Sequence, residues 1–272
     1  VRLDEDYLRE LELWPFFQLR QREAKSIEAA AVPIAATNAI PLAERGTNAP
    51  PATTPGATLP PRARAPVPPS APTLPVSIPQ DPARASRIAA LGWAELSQEV
   101  SACESCVLCK QRKQAVFGVG ATDAPWLFVG EGPGADEDQQ GEPFVGQAGK
   151  LLDAMLTAAG LTRGREVYIA NVVKCRPPGN RTPTPDEAAA CGPFLDRQID
   201  LIKPRLIVAL GKTAVTRLTG SEASMASLRG KVHRYRDIPV VATYHPAYLL
   251  RNLPDKLKAW EDLMFAKKLM QN

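Results

Sequence analysis

Four short runs break the mixing of apolar and polar positions along the chain: Trp126–Gly130 (WLFVG), Val167–Asn171 (VYIAN), Leu206–Leu210 (LIVAL) and Val240–Thr243 (VVAT). They are apolar almost throughout and rich in β-branched residues, as strands covered on both faces are. Between them the pattern changes to the helical period. Helices are predicted at Gly149–Ala159, Thr184–Ile202, Lys212–Leu218 and Lys256–Met270. The second opens on Pro185 and Asp186 and stops at Lys203-Pro204, where a proline is tolerated at the start and ends the helix at its finish. Strands alternating with helices predict an α/β fold on a four-stranded, mostly parallel sheet.

The residues directly after each strand carry the chemistry. The first strand leads into Glu131-Gly132-Pro133-Gly134, the second from Asn171 to Cys175 and a Pro/Gly loop. The third leads into Gly211-Lys212-Thr213, the fourth into Tyr244-His245-Pro246. In open parallel sheets, ligands bind beyond the carboxyl ends of the strands. The site is therefore expected at that edge.

Composition changes the picture at the N-terminal side. Of 27 prolines, 13 fall between Pro41 and Pro82, in a stretch without an aromatic residue. Such a segment buries too little apolar surface to offset its ordering entropy, so residues 41–85 are expected to be a disordered linker. Residues 1–40 form a separate N-terminal segment, and residues 86–272 are long enough for one core. The chain holds 33 Lys and Arg against 29 Asp and Glu, a net charge of +4. All of the excess lies beyond residue 85, which permits nucleic-acid binding without demonstrating it. No signal peptide and no membrane-spanning apolar run is seen, so a reducing cytosol is expected.

Five cysteines, Cys103, Cys106, Cys109, Cys175 and Cys191, fit metal better than disulfides in that compartment. Spacing leaves three readings open: a [4Fe–4S] cluster, a zinc ion, or unligated thiols. It does not say which cysteine is spare. The Gly-rich turn after the first strand lacks the Lys-Ser/Thr of a phosphate loop. Its Pro133 removes a backbone donor, and Asp136, Glu137 and Asp138 repel anions, so nucleotide hydrolysis is disfavoured.

His245 ends a strand edge beside Pro246, a better catalytic position than that of His233 among basic residues. Asn171 could be a simple turn residue. Its amide also offers the donor–acceptor pair that reads a pyrimidine edge. Phe144 could be core, or a base-stacking platform in a glycine-flanked loop.

The segments CESCVLC, GEGPGADEDQQGEPFVGQAGKLLD, NVVKCRPPGNRTP and YHPAYLLR resemble, in order and spacing, the family 4 iron–sulfur uracil-DNA glycosylases, over about 160 residues from Cys103. The resemblance implies a three-layer fold and an enzyme that flips uracil from DNA and hydrolyses its N-glycosidic bond in base excision repair. It implies a [4Fe–4S] cluster on Cys103, Cys106, Cys175 and Cys191, with Cys109 spare. It implies that Phe144 stacks on uracil, Asn171 reads N3–H and O4, and His245 donates to O2. Glu137 stands where thymine's methyl is excluded. Gly132 lies where another glycosylase family has Asp, leaving Glu131 to position water. Asn180 belongs to the Arg176–Pro185 loop against the DNA backbone, and Leu249, Leu250 and Arg251 to a duplex wedge. The competing reading is a non-catalytic iron–sulfur module that binds DNA to sense lesions or redox state.

Tyr7–Arg20 is aromatic-rich with interleaved charges, and is expected to be a short helix that either packs back on the enzyme or docks a partner. Its Leu…Trp…Leu-Arg spacing loosely resembles the N-terminal peptide of the psi subunit of bacterial clamp loaders, which makes a replication protein the expected partner. The expected state is a monomer, cytoplasmic and associated with the nucleoid.

Overall fold

The computed structural model describes residues 81–271; the N-terminal segment 1–40 and nearly all of the expected linker lie outside the described residues. The described chain starts before residue 86. Helix α1 (Pro82–Ala90) begins inside the segment assigned to the linker, because Asp81 caps it through the N–H groups of Ala83 and Arg84. Helix α2 (Trp93–Ser101) comes next.

The sheet has six strands rather than four, in the order β1-β3-β2-β4-β6-β5. The four expected runs are its parallel centre: β2 (Trp126–Gly130), β3 (Val167–Asn171), β4 (Leu206–Leu210) and β6 (Ile238–Thr243). The two additions pair antiparallel at the edges. β1 (Val119–Gly120) is only two residues long, and β5 (Val232–Tyr235) is polar and half exposed, so neither shows as an apolar run.

Alternate residues of the central strands feed two cores. Leu127, Val129, Tyr168, Ala170, Ile207 and Ala209 pack with residues of α1, α2, α5 (Pro185–Ile202) and α6 (Lys212–Thr219). Phe128, Val167, Ile169, Val208 and Val241 pack with α4 (Gln147–Ala158) and α9 (Asp255–Gln271) on the opposite face. Helices thus cover both faces, which makes three layers and explains why β2, β3 and β4 are buried at every position. Short helices α3 (Ala135–Gln140), α7 (Met225–Leu228) and α8 (Pro246–Leu249) complete the set. Among the described residues no helix is long and apolar enough to cross a membrane.

Candidate active site

The loops after β2, β3 and β6 meet around a cavity of about 460 Å3 at the carboxyl edge of the sheet. Glu131, Gly132, Glu137, Phe144, Asn171, Asn180, His245 and Arg251 all line it. Eight of the ten residues expected to bind or act on substrate are therefore brought together; Leu249 and Leu250 are not among the lining.

Asn171 ends β3 with 2% of its surface exposed, and its Oδ1 has no hydrogen-bond partner. Leaving a buried acceptor unpaired costs about 1–3 kcal/mol, so such a group waits for a donor. Beside it lies Phe144, a non-glycine residue at φ 57°. Three devices hold that uncommon conformation. Arg163 donates to the carbonyls of Pro143 (2.9 Å) and Phe144 (2.8 Å). Glu137 Oε1 accepts from the N–H groups of Val145 (2.9 Å) and Gly146 (3.1 Å). Gly149 lets the Phe144 carbonyl approach to where a Cβ would stand at 1.9 Å. Gly130 does the same at the pocket floor. A Cβ there would lie 2.4 Å from Asn171 Oδ1 and 2.7 Å from the Phe144 ring.

Glu137 also caps α3, its Oε2 accepting from Gly134 N at 3.0 Å. The carboxylate is thus held by three backbone donors and cannot swing.

His245 forms the adjoining wall, its ring 5.4 Å from that of Phe144 with planes 29° apart. Burial, with the positive charge of Arg251 second, pushes its pKa down to about 4, so it is neutral at pH 7. Its Nδ1 accepts from Ala247 N at 3.1 Å. In a neutral imidazole this puts the proton on Nε2, leaving Nε2–H as the free donor.

The loop after β3 is fixed by its own contacts. Arg176 Nε donates to Asn180 Oδ1 at 2.7 Å, and Arg181 pairs with the buried carboxylate of Glu187, which also closes a capping box with Thr184.

One expectation needs correction. Leu249 has no exposed surface and packs into the α4/α9 core. Helix α8 turns that face inward, so Leu249 cannot wedge into DNA without unfolding the turn. Leu250, 38% exposed, and Arg251 face outward.

All five cysteines line one small pocket with Lys174, Arg112 and Phe194. Arg112 donates to Cys175 Sγ (3.0 Å), Arg84 to Cys103 Sγ (3.7 Å) and Lys174 N–H to Cys191 Sγ (3.3 Å). Burial pushes the Cys191 thiol up to about 12 and raises Cys106 and Cys175. Thiolates here need compensating positive charge. Among the described residues no three His, Cys, Asp or Glu side chains gather closely enough to hold one metal ion. Thiolates around a single tetrahedral zinc would stand about 4 Å apart.

A second cavity, of about 450 Å3, lies against α1 and α5. Its charged side chains are all engaged: Asp196 with Arg217 and Tyr235, Asp200 with Arg236, Arg197 with the Leu91 carbonyl. It offers no free group for chemistry.

The model of the Uracil DNA glycosylase superfamily matches residues 117–264, which span the whole pocket. The chain belongs to this superfamily. Type-4 uracil-DNA glycosylase is also the name of several curated relatives. The one from Thermotoga maritima is 47% identical over 180 residues, 65% of this chain and 93% of the relative. Those from Archaeoglobus fulgidus (46%; 57% and 82%) and Sulfurisphaera tokodaii (46%; 62% and 80%) are similar to it in the same way. The glycosylase superfamily match begins after Cys103, Cys106 and Cys109, so it bears on the pocket and not on the full cysteine set.

Sequence reasoning missed Gly130 and Arg163, and it placed Thr213 at the site edge after the third strand without giving it a role; its hydroxyl donates to Glu131 Oε2. Arg163 and Thr213 carry no motif of their own, since each acts on a residue far away in the chain. The Thr184–Glu187 capping box was also missed, although Thr-x-x-Glu before an apolar-periodic helix is its signal in the sequence.

Proposed function

We propose that this protein excises uracil from DNA by hydrolysing the N-glycosidic bond, leaving an abasic site for repair. One observation carries the reading: the buried, unpartnered Oδ1 of Asn171 in a pocket walled by Phe144 and by His245 with its free Nε2–H. Uracil presents N3–H to that acceptor. Cytosine presents a bare N3 there and would leave both lone pairs facing each other. Phe144 supplies the stacking face. Glu137, immobilised by three backbone donors, is the wall that excludes thymine's C5 methyl.

The base is flipped into the pocket at a cost of a few kcal/mol. Bond cleavage then sends the C1′–N1 electron pair to uracil, leaving an oxocarbenium-like sugar. His245 Nε2–H donates to O2 as negative charge grows there, a contribution on the order of 3 kcal/mol. Water, positioned by Glu131, bonds to C1′ and releases a proton to solvent, and the uracil anion takes one up. Asn180 and Arg181 meet the DNA backbone, while Leu250 and Arg251 meet the duplex.

A [4Fe–4S] cluster on Cys103, Cys106, Cys175 and Cys191 fits the chemistry of this pocket of thiols: Arg84 and Arg112 donate to two of the sulfurs and would offset the negative charge of thiolate ligands. Its chemistry is structural, tying the segment before the sheet to the Arg176–Pro185 loop. The docking of residues 1–40 on a replication protein is part of the same proposal, in a segment outside the described residues. Deleting it should spare activity on short oligonucleotides and abolish the docking.

The test is incubation with a uracil-containing oligonucleotide followed by alkaline cleavage at abasic sites. Wild type should cleave, and Asn171→Ala and His245→Ala should lose most activity while folded. DNA binding without abasic sites would instead support the non-catalytic module.

A further inference from the structure

The turn after β4, Gly211-Lys212-Thr213, sits between the two other loops that carry acid and imidazole. Gly211 has φ 88°, a conformation that L side chains rarely adopt, and its N–H bonds to the Thr243 carbonyl at 2.8 Å. A Cβ on Gly211 would stand 3.0 Å from the Cβ of His245. The close approach brings the start of α6 against the site. Lys212 turns away, its Nζ donating to the carbonyls of Ser221 (2.9 Å) and Ala223 (2.7 Å). Thr213 turns the other way, and its Oγ1–H donates to Glu131 Oε2.

Glu131 comes directly after β2, and β2 and β4 are paired neighbours, so two adjacent strand ends meet through this one bond. Among the described residues, no other group holds the Glu131 side chain. Thr213 itself does not line the cavity, whereas Glu131 does. A glutamate with three rotatable bonds, held by one contact, loses its aim when that contact goes.

We infer that Thr213 is a positioning residue for hydrolysis: its hydroxyl ties up Oε2 of Glu131, so that Oε1 is presented to the attacking water. This rests on the reading of Glu131 as the group that positions water. The hydroxyl touches neither the base nor the sugar, so its loss acts on the chemical step and not on uracil recognition.

The experiment measures single-turnover excision, inhibition by free uracil, and melting temperature for Thr213→Val, Thr213→Ser, Glu131→Gln and the double variant Thr213→Val/Glu131→Gln. Val keeps the shape and helix propensity of Thr while removing the hydroxyl. Thr213→Ala removes it in a smaller side chain and serves if the Val variant fails to fold. A hydrogen bond to a charged group predicts that Thr213→Val slows the chemical step about tenfold, with uracil inhibition unchanged and the protein still folded at the assay temperature. Thr213→Ser should restore the rate to within about threefold, and the double variant should be no slower than Glu131→Gln alone. Thr213→Val at the wild-type rate beside a slow Glu131→Gln overturns the inference and leaves the Glu131 reading standing. Glu131→Gln at the wild-type rate overturns the Glu131 reading and the inference with it. Equal losses in Thr213→Val and Thr213→Ser, or additive losses in the double variant, show a packing role and overturn the inference alone.

Discussion

Gly130→Ala adds one methyl group at the last residue of β2, under the floor of the pocket. The new Cβ would stand 2.4 Å from Asn171 Oδ1 and 2.7 Å from two carbons of the Phe144 ring. Carbon needs roughly 3.5 Å from its non-bonded neighbours, so both side chains must retreat by about 1 Å. Both line the cavity, so the retreat carries them off the positions that stack on and read the base, and it works against Arg163 and Glu137, which hold Phe144 in its positive-φ conformation. A displacement of about 1 Å at reacting or reading groups costs on the order of 100-fold in rate, about 2.7 kcal/mol. Overpacking should lower stability by about 1–3 kcal/mol, partly offset because alanine loses less backbone entropy than glycine in a strand. The assay is single-turnover excision from a uracil-containing oligonucleotide at saturating enzyme, with inhibition by free uracil alongside. Expected are a fall of about 100-fold in rate and weakened uracil inhibition, with affinity for abasic DNA unchanged. A rate within about threefold of wild type would refute the close-packed floor from which the reasoning starts.

Three further outcomes can be checked. His245 has a folded pKa of about 4 against 6.5 unfolded, so between these values the unfolded chain binds a proton that the folded chain does not. Its part of the stability is complete above pH 6.5 and declines as pH falls toward 4, by roughly 2 kcal/mol at pH 5. Urea denaturation at about pH 7 and about pH 5 should show that decline in wild type and not in His245→Gln. Anaerobically purified protein should be brown with four irons. Cys175→Ser should lose the iron and Cys109→Ser should keep it, and stoichiometric zinc in place of iron would refute the cluster. Leu249→Ala should cost about 2–5 kcal/mol of stability in thermal melts, as a core truncation does. Leu250→Ala should change stability by less than about 0.5 kcal/mol and lower excision from duplex more than from single-stranded DNA.

The parallel centre of the sheet was legible because it is buried on both faces: burial on two sides forces continuous apolar runs, and those runs end where the loops of the site begin. The edge strands were not. β5 carries exposed Val232 between polar neighbours, and β1 is too short to have a pattern. Glu131, Asn171 and His245 could be found because each ends a strand or lies just beyond one, and strand ends in such a sheet converge.

Tertiary structure decided what depends on distance across the fold. Leu249 and Leu250 are adjacent and chemically identical, yet one is core and the other surface, because the four-residue helix α8 faces one way. Glu137, expected where thymine's methyl is excluded, also uses its carboxylate on three backbone donors, one at the start of α3 and two in the turn after Phe144. Arg163 and Thr213 matter only through residues 19 and 82 positions away. Local sequence carries propensity, period and caps, which are short-range effects. Which side chain braces which reading group is set by how the sheet and helices pack, and that is not written in any one stretch of the chain.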